Sequence, residues 1–344
     1  MEIKHIAYRL GSRLVTNNEL IEMIRMCSND IHEGDLEKTI RQIEFYLEKS
    51  GAKTRYWLSD SEKPIHMARD SVLEAIDKAG WDKQDVDYLI HVGMFRGVME
   101  PDQASFIAQA AEMCNVKTFD VVKACDSWVI GLYVAYNFLQ SKAAHKIIIV
   151  NTECTVDNRP DCFCFKNFDE IQYKFPVITN CDAVTSTCLE VNSDKKWEFH
   201  FSSKNELADK CAIPLPGYEK FCLPSKYMAG KTDNRLYSYM KILNKFGKKE
   251  TAALFKTSNI NQNNIDYVIT HCHSETEWYE VGEKVNLDLK KIINLYGDCG
   301  NMISASIPVS LAKGIQNNII KRGNKLVFWT ASSGMSFSVV KLVL

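Results

Sequence analysis

Part of the chain's pattern recurs at a constant spacing, and this repeat limits what the chain can fold into. Residues 86–90 (VDYLI) are matched by residues 265–269 (IDYVI), an offset of 179 (266 − 87 = 179). The same offset pairs Cys125 with Ser304, and it places a second strand-like run opposite the one that begins at Ile147. Three elements in register predict two structurally equivalent halves.

Each half is predicted to alternate helices and strands. Residues 68–79 carry apolar residues at helical spacing before Gly80, a usual helix end. Residues 127–141 suit a buried helix, and residues 147–150 (IIIV) suit a strand that is covered on both faces. Two such halves predict a layered α/β/α/β/α fold.

The boundary between the halves is expected where polar residues interrupt the pattern, at residues 191–197. The N-terminal half is then residues 1–190 and the C-terminal half residues 191–344. With 46% hydrophobic residues, the chain of 344 residues has enough apolar material for two cores.

The composition excludes several classes of function. Forty-two Lys and Arg residues balance 43 Asp and Glu residues, so the chain has no basic field to hold nucleic acid. Its apolar runs are far shorter than the roughly 20 residues that span a bilayer, and its first residues lack a secretory signal. We therefore expect a cytoplasmic protein without nucleic-acid or membrane partners. The 12 cysteines are irregularly spaced, which indicates reduced thiols and no metal site.

Three reactive side chains are expected on the same side of the two halves. Cys125 lies where a strand-like segment turns into a helix, and the positive end of a helix lowers the pKa of a thiol. In the second half, the predicted strand 267–270 runs into His271, and the equivalent helix start carries Asn301. An isolated cysteine here would be a buried thiol without chemistry. Convergence with an imidazole and an amide favours a catalytic site instead.

These motifs, in this order, resemble the ketoacyl-acyl-carrier-protein synthase III family of the thiolase superfamily. The resemblance implies a thiolase-like duplicated five-layer α/β/α/β/α fold and a homodimer. It also implies acyl-coenzyme A or acyl-carrier-protein thioesters as substrates, with no tightly bound cofactor and no metal. The segments that carry it are residues 3–20, 124–127 (ACDS), 265–271 (IDYVITH), 300–308 (GNMISASIP) and 332–337 (SSGMSF).

The resemblance also implies a role for each site residue. Cys125 would accept the acyl group, and the N–H groups of Cys125 and Gly334 would form the oxyanion hole. His271 and Asn301 would stabilise the oxygen of a second thioester. His273 is the alternative to His271 as the catalytic ring.

The chain departs from the family where substrates would bind. Residues 272–276 (CHSET) replace the usual Gln-Ala-Asn stretch, and Glu100 replaces an aromatic residue that gates the acyl pocket of the partner subunit. We expect Glu100 and Ser274 in the substrate pocket. Lys241 is expected to dock an acyl carrier protein, although its lysine-rich neighbourhood also suits a solvated helix face. Arg159 is expected to contact the phosphates of coenzyme A.

The expected reaction is a decarboxylative Claisen condensation in specialised metabolism. An acyl thioester would load Cys125, and a malonyl-type thioester would then lose carbon dioxide and attack the acyl group. The alternative is an acyltransferase that passes the acyl group from Cys125 to a hydroxyl or an amine. An inactive scaffold subunit is a third possibility, which the complete Cys-His-Asn set argues against.

Overall fold

The computed structural model describes residues 1–154, 163–231 and 235–344, in which strands and helices alternate. The strands are β1 (Glu2–Leu10), β2 (Arg13–Thr16), β3 (Thr54–Trp57), β4 (Tyr88–Val92), β5 (Lys117–Val121), β6 (Lys146–Glu153), β7 (Ala183–Glu190), β8 (Glu198–Ser203), β9 (Cys211–Ala212), β10 (Tyr237–Ser238), β11 (Tyr267–Thr270), β12 (Ile292–Ile293), β13 (Lys325–Ser332) and β14 (Ser336–Val343). The helices are α1 (Asn17–Cys27), α2 (Glu33–Ser50), α3 (Pro64–Ala79), α4 (Gln103–Ala110), α5 (Ser127–Gln140), α6 (Ile171–Ile178), α7 (Met240–Thr257), α8 (Glu275–Lys284), α9 (Tyr296–Cys299) and α10 (Ser306–Gln316).

Two five-stranded sheets repeat one topology. The strand order is β1-β7-β6-β4-β5 in the first sheet and β8-β14-β13-β11-β12 in the second. The central strand β6 pairs parallel with β4 and antiparallel with β7, and β13 pairs in the same way with β11 and β14. These two strands begin at Lys146 and Lys325, an offset of 179 (325 − 146 = 179). The predicted duplicated α/β fold is confirmed.

The layer between the two sheets consists of α5 and α10. Their apolar side chains join one buried cluster with residues of both sheets, and the ring of Trp128 on α5 lies 5.4 Å from that of Phe328 on β13. On the outer faces, α3 and α4 cover the first sheet and α7 and α8 cover the second. Because both faces of each sheet are covered, the central strands contain fully buried apolar runs, residues 147–150 in β6, as predicted, and residues 326–329 in β13.

The connections follow the sequence signals closely. Helix α3 ends at Gly80, whose φ of 69° is left-handed. The first sheet ends with β7 at Glu190 and the second begins with β8 at Glu198, so residues 191–197 connect the two sheets. Among the residues that the structure describes, no helix is long and apolar enough to cross a membrane.

Candidate active site

Cys125 is held in a tight turn at the start of α5. The turn is a 3-10 segment, Ala124–Asp126, that joins β5 to the helix. The Ser127 hydroxyl accepts a hydrogen bond from Lys123 N–H at 2.7 Å and donates one to the Ala124 carbonyl at 2.7 Å. These two bonds fix the backbone on both sides of Cys125, so the thiol is presented by a rigid element.

The second half builds the same turn at Ile303–Ala305, before α10. The Ser306 hydroxyl donates to the Ile303 carbonyl at 2.8 Å and also lies 3.1 Å from Nδ1 of His271. Ser306 and Ser127 are equivalent positions (306 − 127 = 179). The second half has therefore kept the turn and uses its serine to orient a buried imidazole.

Asn301 is positioned by the backbone of the other half. Its N–H donates to the Thr179 carbonyl at 2.9 Å, and its carbonyl accepts from Cys181 N–H at 2.8 Å. Its side-chain Oδ1 accepts from Ile303 N–H at 2.9 Å. Because Oδ1 is engaged, the amide NH₂ is the group that Asn301 offers to a ligand.

One cavity of about 130 Å³ brings the three side chains together. Cys125, His271 and Asn301 all line it, although they come from different halves of the chain. The remaining wall is largely apolar and includes Phe175, Leu243, Trp278 and Met335. A nucleophile, an imidazole and an amide donor in a confined apolar site can perform acyl transfer and can stabilise a developing oxyanion.

The electrostatics of the free site differ from the expectation for Cys125. Burial, with the nearby Cys211 thiol and the Glu153 and Asp126 carboxylates, raises the pKa of the Cys125 thiol well above its usual value. The expectation that the helix start lowers this pKa is wrong, because desolvation outweighs the helix dipole here. Burial and the neighbouring His273 keep the pKa of His271 well below its usual value. The resting site therefore holds a neutral thiol and a neutral imidazole.

The other predicted site residues are spread more widely. Gly334 has a left-handed φ of 108° between β13 and β14, and the preceding Ser332 and Ser333 line the cavity. Ser274 caps α8 by accepting from Glu277 N–H at 3.3 Å, and it lines a second cavity of about 170 Å³.

Lys241 and Glu100, named for carrier and substrate binding, do not line the cavity that contains Cys125. Lys241 lines the second cavity. Glu100 is exposed and does not line the cavity of its own chain. Arg159 lies outside the described residues. Of the predicted site residues within the described ranges, Cys125, His271, Asn301 and the alternative ring His273 line one cavity, and Ser274 and Lys241 line the second.

Glu153, at the end of β6, is a buried carboxyl group that the sequence patterns did not predict. Its side chain is fully buried, accepts a hydrogen bond from Ser304 Oγ and accepts another from Met94 N–H at 3.3 Å. Burial raises the pKa of Glu153 to about 7, although these hydrogen bonds oppose the shift. Glutamate is seldom buried, so a glutamate on the same strand as the apolar run at residues 147–150 is the sequence feature that could have indicated this site.

The sequence comparisons point to one family. Residues 255–343 match the family described as 3-oxoacyl-[acyl-carrier-protein (ACP)] synthase III C terminal. The beta-ketoacyl-[acyl-carrier-protein] synthase III of Clostridioides difficile strain 630 is 24% identical over 313 residues, which are 88% of this chain and 90% of that protein. The corresponding protein of Clostridium tetani is 23% identical over 328 residues, 90% of this chain and 92% of its own.

Solved structures show the same fold over the whole chain. OleA of Xanthomonas campestris, crystallised with lauric acid and lauroyl-CoA, aligns with a TM-score of 0.82 at 17% identity, covering 99% of this chain and 98% of its own. The 3-oxoacyl-[acyl-carrier-protein] synthase III of Aquifex aeolicus aligns with a TM-score of 0.79 at 17% identity, and the alignment covers 100% of this chain and 99% of the Aquifex chain. The thiolase-like five-layer fold is thereby confirmed.

Proposed function

We propose that this chain, a ketoacyl synthase III-like condensing enzyme with the thiolase fold, joins an acyl group to a malonyl-type unit by decarboxylative condensation. The observation that carries the proposal is the single cavity lined by Cys125, His271 and Asn301. Each side chain supplies one function that the reaction needs: a nucleophile, a proton acceptor and an amide donor.

In the loading step, the Cys125 sulfur attacks the carbonyl of an acyl thioester. The thiol proton passes to neutral His271 and then to the departing thiolate, so acyl-Cys125 and a free thiol are formed. The N–H groups of Cys125 and Gly334 receive the oxyanion, and each such donor contributes about 3 kcal/mol to the transition state. Because burial raises the pKa of the thiol, His271 speeds this step by accepting the thiol proton.

In the condensing step, a malonyl-type thioester loses carbon dioxide and its carbanion attacks acyl-Cys125. The Asn301 NH₂ donates to the enolate oxygen as the carboxylate leaves. Ser306 lies within reach of both Ile303 O and His271 Nδ1, so its hydroxyl can turn to Nδ1 and leave Nε2–H of His271 as the second donor. Cys125 departs as a thiolate and takes up a proton from solvent, because its original proton left with the thiol released in the loading step.

The proposal extends to the substrates and the assembly. The relatives are named for acyl carrier protein, and OleA binds lauroyl-CoA, which supports a coenzyme A or carrier thioester as the acyl donor. Lys241, beside the second cavity, is the docking residue in this proposal. The enzyme is a cytoplasmic homodimer in which Glu100 lines the pocket of the partner. The altered residues 272–276 favour a specialised pathway over housekeeping fatty-acid initiation.

A second candidate function is acyl transfer from Cys125 to a hydroxyl or an amine. The observation that favours it is a histidine–carboxylate pair, His273 and Glu277, which lines the same cavity. Decarboxylation generates its own carbanion and does not need such a pair.

The test separates loading from the second step. The chain is incubated with acetyl-, butyryl- and lauroyl-CoA, and the mass added to the intact protein is read. Pre-loaded wild type, His271→Ala and Asn301→Ala are then given labelled malonyl thioester. Both variants should still load, His271→Ala more slowly because it lacks the proton acceptor. Once loaded, both should release carbon dioxide about two to three orders of magnitude more slowly than wild type. If wild type loads but releases no carbon dioxide above background, condensation is the wrong reaction.

A further inference from the structure

A second histidine lies beside His271 and has a carboxylate partner of its own. His273 Nε2 lies 3.2 Å from Oε2 of Glu277, one turn along α8. The ring stacks on that of His271, with centroids 5.4 Å apart and planes at 30°, and the edge of Trp278 packs against it at 5.4 Å. These contacts on two sides fix the plane of the imidazole.

The pairing also determines which ring nitrogen can accept a proton. A carboxylate accepts hydrogen bonds, so Nε2 of His273 carries the hydrogen that faces Glu277. Nδ1 then holds the unshared electron pair, and it is a buried atom without a hydrogen-bond partner among the described residues. A buried acceptor without a partner is unfavourable, and an O–H or N–H group of a ligand would satisfy it. The side chain is 23% exposed and lines the cavity with Cys125.

Glu277 is held in the charged form that this arrangement needs. Asn244 Nδ2 donates to its Oε1 at 2.5 Å, and Lys248 Nζ lies 3.7 Å from the same oxygen. Burial alone would raise the pKa of Glu277, but the hydrogen bond from His273 and the positive charges around it lower that pKa overall. The carboxylate therefore orients the ring and stabilises it when it becomes an imidazolium.

We propose that His273, oriented by Glu277, is the general base for an acyl acceptor that bears a hydroxyl or a neutral amine. The inference rests on the loading half of the proposed function. The acceptor oxygen or nitrogen attacks acyl-Cys125 while its proton moves to His273 Nδ1. The bond from carbon to the Cys125 sulfur breaks, and the thiolate takes the proton back from His273. An ester or amide and free Cys125 result, so atoms and charge balance.

The experiment measures the second step on pre-loaded protein. Chains loaded from the best of acetyl-, butyryl- and lauroyl-CoA are mixed with 1-butanol or butylamine, and loss of the acyl mass and formation of ester or amide are followed. His273→Gln should slow transfer by about 100-fold or more, the usual contribution of a general base, and Glu277→Gln by about tenfold. The rate of loading should change less than about threefold in both, which also shows that the variants are folded.

Glu283→Gln is the matched control, because Glu283 is an exposed carboxylate on the same helix as Glu277 and the substitution removes the same charge. It should transfer at the wild-type rate. The inference is overturned if His273→Gln transfers as fast as wild type, or if loaded wild type passes its acyl group to neither acceptor. Failure of every donor to load wild type would instead refute the proposed function itself. Ester from butanol or amide from butylamine identifies which acceptor the site takes.

Discussion

Ala124 and Ile303 share a left-handed backbone, with φ angles of 48° and 53° at positions 179 residues apart (303 − 124 = 179). In both turns a serine three residues later, Ser127 or Ser306, donates to the carbonyl of the left-handed residue, at 2.7 and 2.8 Å. Side chains with a Cβ rarely adopt this conformation, and β-branched ones least of all. Both halves keep this left-handed conformation because it determines the position of the residues at which the central helices α5 and α10 begin.

This backbone gives the first prediction, which concerns Ala124. Ala124→Gly should leave loading of Cys125 within about twofold of wild type and change the free energy of unfolding by no more than about 1 kcal/mol, since glycine adopts positive φ freely. Ala124→Val should lose about 1–3 kcal/mol and slow loading by about tenfold or more, because a β-branched residue resists this φ. Urea unfolding and intact-mass kinetics measure the two effects. A valine variant as stable and as fast as wild type would contradict the role of the turn.

The second prediction identifies the nucleophile. Cys125→Ser should take up no acyl group from a donor that adds one to wild type, because an alcohol is far less acidic than a thiol and His271 cannot ionise it near neutral pH. Intact mass spectrometry measures the addition. Cys211 lines the same cavity, so Cys211→Ser serves as the control and should load normally. Loading of Cys125→Ser at the wild-type rate would assign the chemistry to another cysteine.

The third prediction concerns the stability of the fold around Glu153. Because its pKa is raised to about 7 from 4.5, the folded chain retains a proton that the unfolded chain releases between these values. The contribution of Glu153 to the free energy of unfolding is therefore greatest below pH 4.5, falls as the pH rises to about 7, and is constant above that.

Glu153→Gln should remove this contribution and keep an acceptor for Ser304 Oγ. Between pH 5 and pH 8, the free energy of unfolding of wild type should fall by about 2–3 kcal/mol more than that of the variant. Urea unfolding at the two pH values measures the difference. Asp126, whose pKa burial raises to about 6, contributes equally to both proteins. Identical pH dependence would show that Glu153 is ionised in the folded chain.

The fourth prediction tests the homodimer and the position of Glu100. Sedimentation velocity should find a dimer, and Glu100→Ala should be impaired because each pocket lacks the residue from its partner. Mixing Glu100→Ala with Cys125→Ser chains should restore about a quarter of wild-type activity. About half of the dimers in the mixture are heterodimers, and each heterodimer has one complete site out of two. A fully active monomer of 39.3 kDa, or a mixture no more active than its parts, would refute the arrangement.

The sequence predicted what local pattern and repetition determine. The 179-residue offset located β6 opposite β13, and strand β11 occupies the expected residues 267–270. The pKa of Cys125 was missed, because desolvation depends on what packs over the thiol, which no local pattern contains. His273 can pair with Glu277 because α8 begins at Glu275 and places Glu277 in its first turn. The composition of residues 272–276 does not predict where this helix begins.

The backbone bridge between Asn301 and residues 179–181 has an evolutionary consequence. Two hydrogen bonds, from Asn301 N–H to Thr179 O and from Cys181 N–H to Asn301 O, place an amide encoded by one repeat with the main chain of the other. Because both bonds use main-chain atoms, substitution of the Thr179 or Cys181 side chain need not break them. The position of Asn301 therefore depends on how the two repeats pack against each other, and each repeat can change its side chains here while that packing is kept.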